Sequence, residues 1–268
     1  MRDVLKLTLT PDQESISRLA ILPPNKVNVR ASHAVGKTFW LGAMTSWFFD
    51  SFPTDSCVIT TAPTSRDVKD LLWSEIRRQR RRVGLGGFVG NSAPEMRTGD
   101  DHFAKGFTAA AGESFQGRHY RYMMFAFDES VGISPIFWET TRSMFRAGGE
   151  HIWLAICNPT DTTSQAYQEE QAVDLDGRPS WHTVSMSALG HPNITAQLAG
   201  REPPFPAAVT LPQLNDWVAE WCERVETPDQ AMDDFEWPPM SGRWYRPGPM
   251  FESRATGRWP KQGTYSVW

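Results

Sequence analysis

Long apolar runs are missing from this sequence. No stretch approaches the roughly 20 residues needed to span a bilayer, and the start, MRDVLKLTLTPDQ, lacks the continuous apolar core of a signal peptide. A cytoplasmic protein with no membrane partner is the expectation. Cysteine is scarce: Cys57, Cys157 and Cys222 are too few and too scattered for a disulfide framework or a zinc site. Cys57 and Cys157 read instead as small hydrophobes inside strands. An excess of positive charge is also lacking, because the net charge is −4. A dedicated duplex-DNA binder is usually basic over its contact face, so any such role must rest on a local patch. Internal repeats and low-complexity tracts are absent as well.

What the chain does have is aromatic surface to bury. Twelve tryptophans and 40% hydrophobic residues in 268 positions supply the area that offsets chain entropy. This is enough for one large α/β domain, or one domain with an appendage. Short apolar runs alternate with helical stretches. KVNVR (26 to 30), SCVITTAP (56 to 63), FTAAA (107 to 111), YMMFAF (122 to 127), HIWLAIC (151 to 157) and SWHTVSMSA (180 to 188) read as strands. KTFWLGAMTSWFFD (37 to 50) reads as a largely buried helix, and SRDVKDLLWSEIRRQRRR carries Val68, Leu71, Leu72 and Ile76 at helical spacing. Apolar strands separated by helices predict a mostly parallel sheet covered on both faces. Beyond residue 190 the chain turns proline-rich, and only LPQLNDWVAEWCERV reads as a helix. Residues 1–190 are therefore the expected core, and 191–268 a helical appendage and extended linker.

The stretch VRASHAVGKTFW (29 to 40) ends like a phosphate-binding loop, G-x-x-x-x-G-K-[ST], with Ala31 at the first glycine position. Such a loop needs backbone N–H groups turned inward, a lysine for the terminal phosphates and a hydroxyl for magnesium. Arg30, Ala31, Ser32, His33, Ala34, Val35 and Gly36 would form the cradle. Lys37 and Thr38 supply the lysine and the hydroxyl. The strand before and the helix after give the loop its proper setting. Farther on, the apolar strand YMMFAF delivers Asp128 and Glu129 to its end. Neighbouring residues on a strand point to opposite sides, so the two carboxylates can divide the work. Asp128 would hold magnesium, and Glu129 would orient or deprotonate an attacking water. HIWLAIC ends in Asn158-Pro159-Thr160, where an amide could hydrogen-bond the γ-phosphate or the water. A plain Asn-Pro turn is the competing reading.

These strings together resemble the ATPase portion of the large terminase subunit of tailed bacteriophages: VRASHAVGKT, VITTAPTSRDVKDLLWSEI, FQGRHYRYMMFAFDES, AICNPT and GPMFESRATGRWPKQGT follow that family's order over nearly the whole chain. The resemblance implies a P-loop NTPase of the additional-strand, conserved-glutamate type, using ATP and Mg²⁺ to drive double-stranded DNA into a procapsid in the host bacterial cytoplasm. It also implies a portal protein and a small terminase subunit as partners, and a homo-oligomeric ring when assembled, with the isolated domain monomeric. Position by position, it makes Lys37 and Thr38 the Walker A ligands, Asp128 and Glu129 the Walker B pair, and Asn158 the coupling residue. Gln13 resembles the adenine-reading glutamine, although Thr10-Pro11-Asp12-Gln13 is equally a capping box.

The sequence departs from the family in two places. Many members have an arginine four residues before the lysine, where this chain has His33. Arg30 could compensate, or an arginine finger could come from a neighbouring subunit, with Arg142, Arg146 and Arg118 as candidates. The chain also stops at Trp268, near where the family's nuclease domain would begin, so DNA cutting by this chain is not expected. IRRQRRRVG remains open: Arg77, Arg78, Arg80, Arg81 and Arg82 are either a solvated helix end or a patch for DNA or a subunit. Two other functions fit the same residues, a helicase-like or repair ATPase and a catalytically silent prophage assembly module.

Overall fold

Two of the strands, SCVITTA and HIWLAIC, are buried at every residue. A strand that alternates no polar side out must lie inside a sheet covered on both faces. The computed structural model describes residues 1–108, 119–146 and 150–261. It divides into two groups of internally packed residues. The first comprises Met1–Val29, Lys37–Cys157 and Thr163–Val184, and the second Arg30–Gly36, Asn158–Thr162 and the chain from Ser185 onward. The long segment of the second group starts at Ser185, where the expected appendage starts at 191, and the group includes two short segments from residues 1–190.

Ten strands are described: β1 Lys26–Ala31, β2 Ser56–Ala62, β3 Glu95–Arg97, β4 His102–Thr108, β5 Tyr122–Phe127, β6 His151–Cys157, β7 His182–Met186, β8 Cys222–Val225, β9 Phe235–Glu236 and β10 Trp244–Pro247. The helices are α1 Arg2–Leu5, α2 Pro11–Leu19, α3 Lys37–Ser51, α4 Trp73–Arg82, α5 Pro135–Met144, α6 Gln165–Glu170, α7 Pro192–Leu198, α8 Leu211–Trp221 and α9 Pro249–Phe251. A wider π-helical turn, Asp67–Leu72, leads straight into α4. The main sheet has the order β3-β4-β2-β5-β6-β1-β7. β2 runs parallel to β4 and β5, and β5 parallel to β6, while β3 is antiparallel to β4. One strand, β6, stands between β5 and β1, as the additional-strand class requires.

Within the first group, α3 is apolar nearly all round, with Trp40, Leu41, Met44, Phe48 and Phe49 buried, as befits a helix enclosed by its neighbours. The other side of the sheet carries an aromatic cluster. Trp138 and Trp153 lie 5.5 Å apart between ring centres, Trp153 and Trp181 5.0 Å, and Phe127 and Trp138 4.8 Å. The Lys26 ammonium sits over Phe145, Trp153 and Trp181 at 5.0–5.5 Å. Burial holds its pKa below the usual lysine value, against the pull of Glu169. On β4, Gly106 leaves room for Trp73 and Val68, since a Cβ there would stand 2.6 Å from each. Trp73 uses that room to donate its indole N–H to Thr60 Oγ1 at 2.9 Å, tying the helix to the sheet.

Two sequence expectations change. The strand expected at 107–111 begins earlier, at His102, and residues 109–111 lie outside the described residues. The expected linker holds a three-stranded antiparallel sheet, β8-β10-β9. Its strands are two to four residues long and β10 ends in Pro247, so neither period nor length marks them in the sequence. In this second group Arg246 grips Asp234 with two hydrogen bonds of 2.9 and 3.0 Å, and Phe251 stacks on Phe235. His191 caps α7 by accepting the Asn193 N–H at its Nδ1. The ring is 3% exposed, and burial pushes its pKa down to about 4.

Gly106→Ala forces Trp73 and Val68 aside, and a loss of about 1–3 kcal/mol is expected from the urea midpoint. His191 is neutral in the fold at a pH where the unfolded chain binds a proton. Its contribution is present above the unfolded value of 6.5 and drains away as pH falls towards 4. His191→Asn keeps a capping side chain without titrating. Urea titrations across that range are expected to show wild type losing up to about 3 kcal/mol more than the variant.

Candidate nucleotide site

The candidate residues fall in both groups, and each set is described within its own. In the first group, β5 carries apolar residues to Phe127 and then releases the chain. Asp128, the next residue, is 2% exposed. Its N–H still reaches Thr61 O at 2.9 Å, so the sheet fixes its backbone. Glu129 then turns into the left-handed region at φ 46°, ψ 49°, which is costly for a residue with a Cβ. The turn is held by the Glu129 N–H, which donates to Asp128 Oδ1 at 3.0 Å, and by a short 3₁₀ stretch, Ser130–Gly132. A Cβ on Gly132 would stand 2.6 Å from Pro63 Cγ, so this turn lies hard against the residue that follows β2.

The two side chains that open α3 meet these carboxylates. Thr38 Oγ1 donates to Asp128 Oδ2 at 3.2 Å, and Lys37 Nζ lies 3.2 Å from Glu129 Oε1. Burial, and next the charge of Glu129, push the Asp128 carboxyl up to about 7, against the stabilising Lys37 ammonium, Glu129 N–H and Thr38 hydroxyl. Glu129 keeps 41% of its side chain exposed. The pair is therefore unequal: one carboxyl is dry and short of positive charge, and the other is wet and salt-bridged. Beneath them, Cys157 ends β6 as a buried thiol whose pKa burial raises to about 12, so it is inert.

In the second group, residues Arg30–Gly36 form the loop itself. Ala31 is fully buried as the last residue of β1. The positions that enter positive φ are Ala34 at 55° and Gly36 at 84°. The glycine missing at position 31 is thus missing from a strand end that does not need one. The loop is braced by distant segments: Ser32 N–H donates to Met186 O at 2.8 Å, His33 N–H to Arg254 O at 2.7 Å, and Val209 N–H to Ala34 O at 2.8 Å. Asn158 donates its amide to Ala31 O at 2.6 Å. The Ser32 and His33 N–H groups are thus engaged within the chain. Nothing in the sequence marked Met186, Val209 and Arg254 as braces of the loop, because hydrogen bonds through the backbone leave no trace in residue type.

The remaining candidates are placed as follows. Gln13, 2% exposed, completes the capping box of α2: its Oε1 accepts the Thr10 N–H at 3.0 Å and its own N–H donates to Thr10 Oγ1 at 3.3 Å. Arg142 forms an ion pair with the buried Glu169, which also accepts from Trp181 Nε1 and Gln165 Nε2. Arg146 lies five residues before His151 on the way into β6, at the end of the strand away from Asn158, and lines a hollow with Asp55, Arg121 and Glu150. Arg118 lies outside the described residues. Arg80 is 3% exposed and clamps Asp50 with bonds of 2.8 and 3.0 Å. Arg78 pairs with Glu75, while Arg81 and Arg82 are exposed.

No family model and no curated protein matches the sequence. Solved structures do. A large terminase from a thermophilic bacteriophage is similar over 68% of this chain, with 14% identity and a TM-score of 0.53. A crystal form of the same terminase in complex with ADP gives a TM-score of 0.50 at 14% identity over 67% of this chain. An ATPase-domain variant of the Thermus phage P74-26 large terminase gives 0.50 at 11% identity, covering 70% of this chain and 85% of that one. In the first terminase, with and without ADP, the matched part spans 46% of the chain. The strand order, the loop at the end of β1 and these similarities agree, and the chain has the P-loop fold of phage large-terminase ATPase domains.

Proposed function

We propose that this chain hydrolyses ATP as the motor portion of a machine that packages viral double-stranded DNA. The observation that carries the reading is the pairing at the end of β5: Lys37 with Glu129 and Thr38 with Asp128, joined to an additional-strand sheet order. A structural ion pair would need one carboxylate. Two, of unequal burial, facing the lysine and hydroxyl that open a helix after a left-handed loop, suit phosphoryl transfer to water.

In this reading Lys37 exchanges Glu129 for the terminal phosphates of ATP. Glu129, with its side chain open to solvent, orients the attacking water and accepts its proton. The loop residues after His33 contribute backbone N–H groups to the phosphates. Asn158, held at Ala31 O, stands at the end of β6 as the residue that registers hydrolysis. Magnesium fits the donors: Thr38 and Asp128 are hard oxygen ligands 3.2 Å apart, and the buried Asp128 lacks a full counter-charge. When bound it would neutralise charge on the phosphates. No cluster of three or more acidic, His or Cys side chains that could hold a metal occurs among the described residues, so phosphate oxygens and water would complete its shell. Gln13 is the proposed contact for adenine.

The wider setting is carried by resemblance: duplex DNA as the translocated polymer, a portal protein and small terminase subunit as partners, and a ring of copies in the bacterial cytoplasm. Among the described residues no helix is long and apolar enough to cross a membrane. The Arg142–Glu169 pair leaves Arg146 as the better-placed finger for a neighbouring copy, because it lies at the strand end opposite Asn158 and cannot serve its own chain's Glu129.

Phosphate release, measured with and without duplex DNA at several protein concentrations, tests the reading. Activity that rises with concentration is expected, with Arg146→Ala abolishing the rise. Glu129→Gln is expected to lower the rate by about 10²–10⁴ while nucleotide binding persists. Lys37→Ala is expected to lose nucleotide binding itself. A Glu129→Gln protein as fast as wild type would remove Glu129 from its role.

A further inference from the structure

The five arginines at the end of α4 look alike in sequence but not in the structure. Arg80 is internally paired with Asp50, and Arg78 with Glu75. Arg77 is different: it is 8% exposed, its guanidinium stacks 5.3 Å from the Phe88 ring centre and donates to Ala93 O, and its buried Nε has no hydrogen-bond partner. It has no ion-pair partner among the described residues. Burial, and then the like charge of Arg81, hold its pKa below the usual arginine value. The two cations line one cleft, where their like charges cost energy that an anion would offset.

These residues line a cleft of about 620 Å³ with Lys69, Ser74, Asn91 and Ser92. Neither Lys69 nor Arg81 has an ion-pair partner among the described residues. Asp70 and Arg78 line the cleft as well, Arg78 paired with Glu75, so the lining sets one carboxylate against four cationic side chains. Ser74, Arg77 and Arg81 recur at helical spacing on one face of α4, and from Ser74 to Arg81 the row extends about 10 Å at 1.5 Å per residue. The walls hold no exposed aromatic ring for a base or nucleoside to stack on. A small anion would need converging donors, whereas this row presents cations one after another.

We infer that the cleft binds the phosphodiester backbone of a nucleic-acid duplex, with Arg77 as its buried floor, Arg81 and Lys69 as its exposed cations, and Ser74, Asn91 and Ser92 as neutral donors. The inference deepens the DNA-packaging reading by giving the duplex a place on this chain, and it rests on that reading for the choice of duplex over single strand. Contacts of this kind position a duplex without reading its sequence.

The test is fluorescence anisotropy of a labelled duplex of about 30 base pairs with the whole chain, repeated across salt concentrations. Each phosphate contact contributes about 0.9 to the slope of log affinity against log salt. Lys69→Gln combined with Arg81→Gln changes only exposed side chains. The double variant is expected to bind at least tenfold more weakly, with a slope smaller by about 2. Arg78→Gln, already neutralised in the wild type, is expected to leave the slope unchanged. Affinity should not depend on the sequence of the duplex. An unchanged slope in the double variant, or a wild type that does not bind the duplex, overturns the inference. Wild type that binds inorganic phosphate but no duplex would identify a free-phosphate pocket and overturn it equally. ATP hydrolysis without DNA is expected to survive in the double variant, since neither residue belongs to the Lys37, Thr38, Asp128, Glu129 set. Duplex binding by a wild type that hydrolyses no ATP would sink the motor reading and leave the cleft standing.

Discussion

A dry carboxylate at the end of a buried strand is the constraint around which the first group is arranged. Asp128 is taken out of water by β5 and its flanking strands, and an isolated carboxylate in such a place costs several kcal/mol. Thr38, the Glu129 N–H and the nearby Lys37 each return part of that cost, and each must be delivered to one spot. Thr38 and Lys37 arrive because α3 begins where it does. The Glu129 N–H arrives because the chain accepts a left-handed turn immediately after the strand. The helix start, the strand end and the strained turn are thus three answers to a single electrostatic demand. The answers are incomplete, since the Asp128 carboxyl is still raised to about 7, and a divalent cation is the natural remainder.

The same accounting separates the charged residues of the chain by purpose. Where a charge is buried for architecture, a more exposed partner of opposite charge meets it: Asp50 for Arg80, Arg142 for Glu169, Arg246 for Asp234. Where a charge is buried without one, the site is poised for something from outside. Asp128 is an anionic instance and Arg77 a cationic one. Ion pairs of the first kind hold the fold, and uncompensated charges of the second kind mark the surfaces that meet ligands.

The sequence was most legible where strands were long and wholly apolar. YMMFAF and HIWLAIC are β5 and β6 to the residue, because continuous burial leaves a continuous run. Those runs also placed Asp128, Glu129 and Asn158 at strand ends, and the G-K-T string placed Lys37 and Thr38 at a helix start. The rest was hidden for physical reasons. β3 and the three-stranded sheet use segments of two to four residues, shorter than a side-chain period can declare. The braces on the loop join His33 to Arg254 and Ala34 to Val209 through main-chain groups, which any residue could supply. The arginine run announced its charge but not its sorting, because pairing with Asp50 or with nothing depends on tertiary neighbours. Even the missing glycine misled only as a string, since the left-handed positions are Ala34 and Gly36.

The close contact between Gly132 and Pro63 joins matters otherwise separate. Pro63 follows β2, and one residue later Thr64 grips Asp67, whose carboxylate accepts both the Thr64 hydroxyl and its N–H. Asp67 opens the rigid rod that runs through the π-helical turn into α4, past Lys69 to Arg81. The turn that carries Glu129 therefore abuts the connection that leads into the rod, with no room for a methyl group between Gly132 and Pro63. A side chain at position 132 would therefore press on the connection between β2 and the helical rod as well as on the turn that holds Glu129.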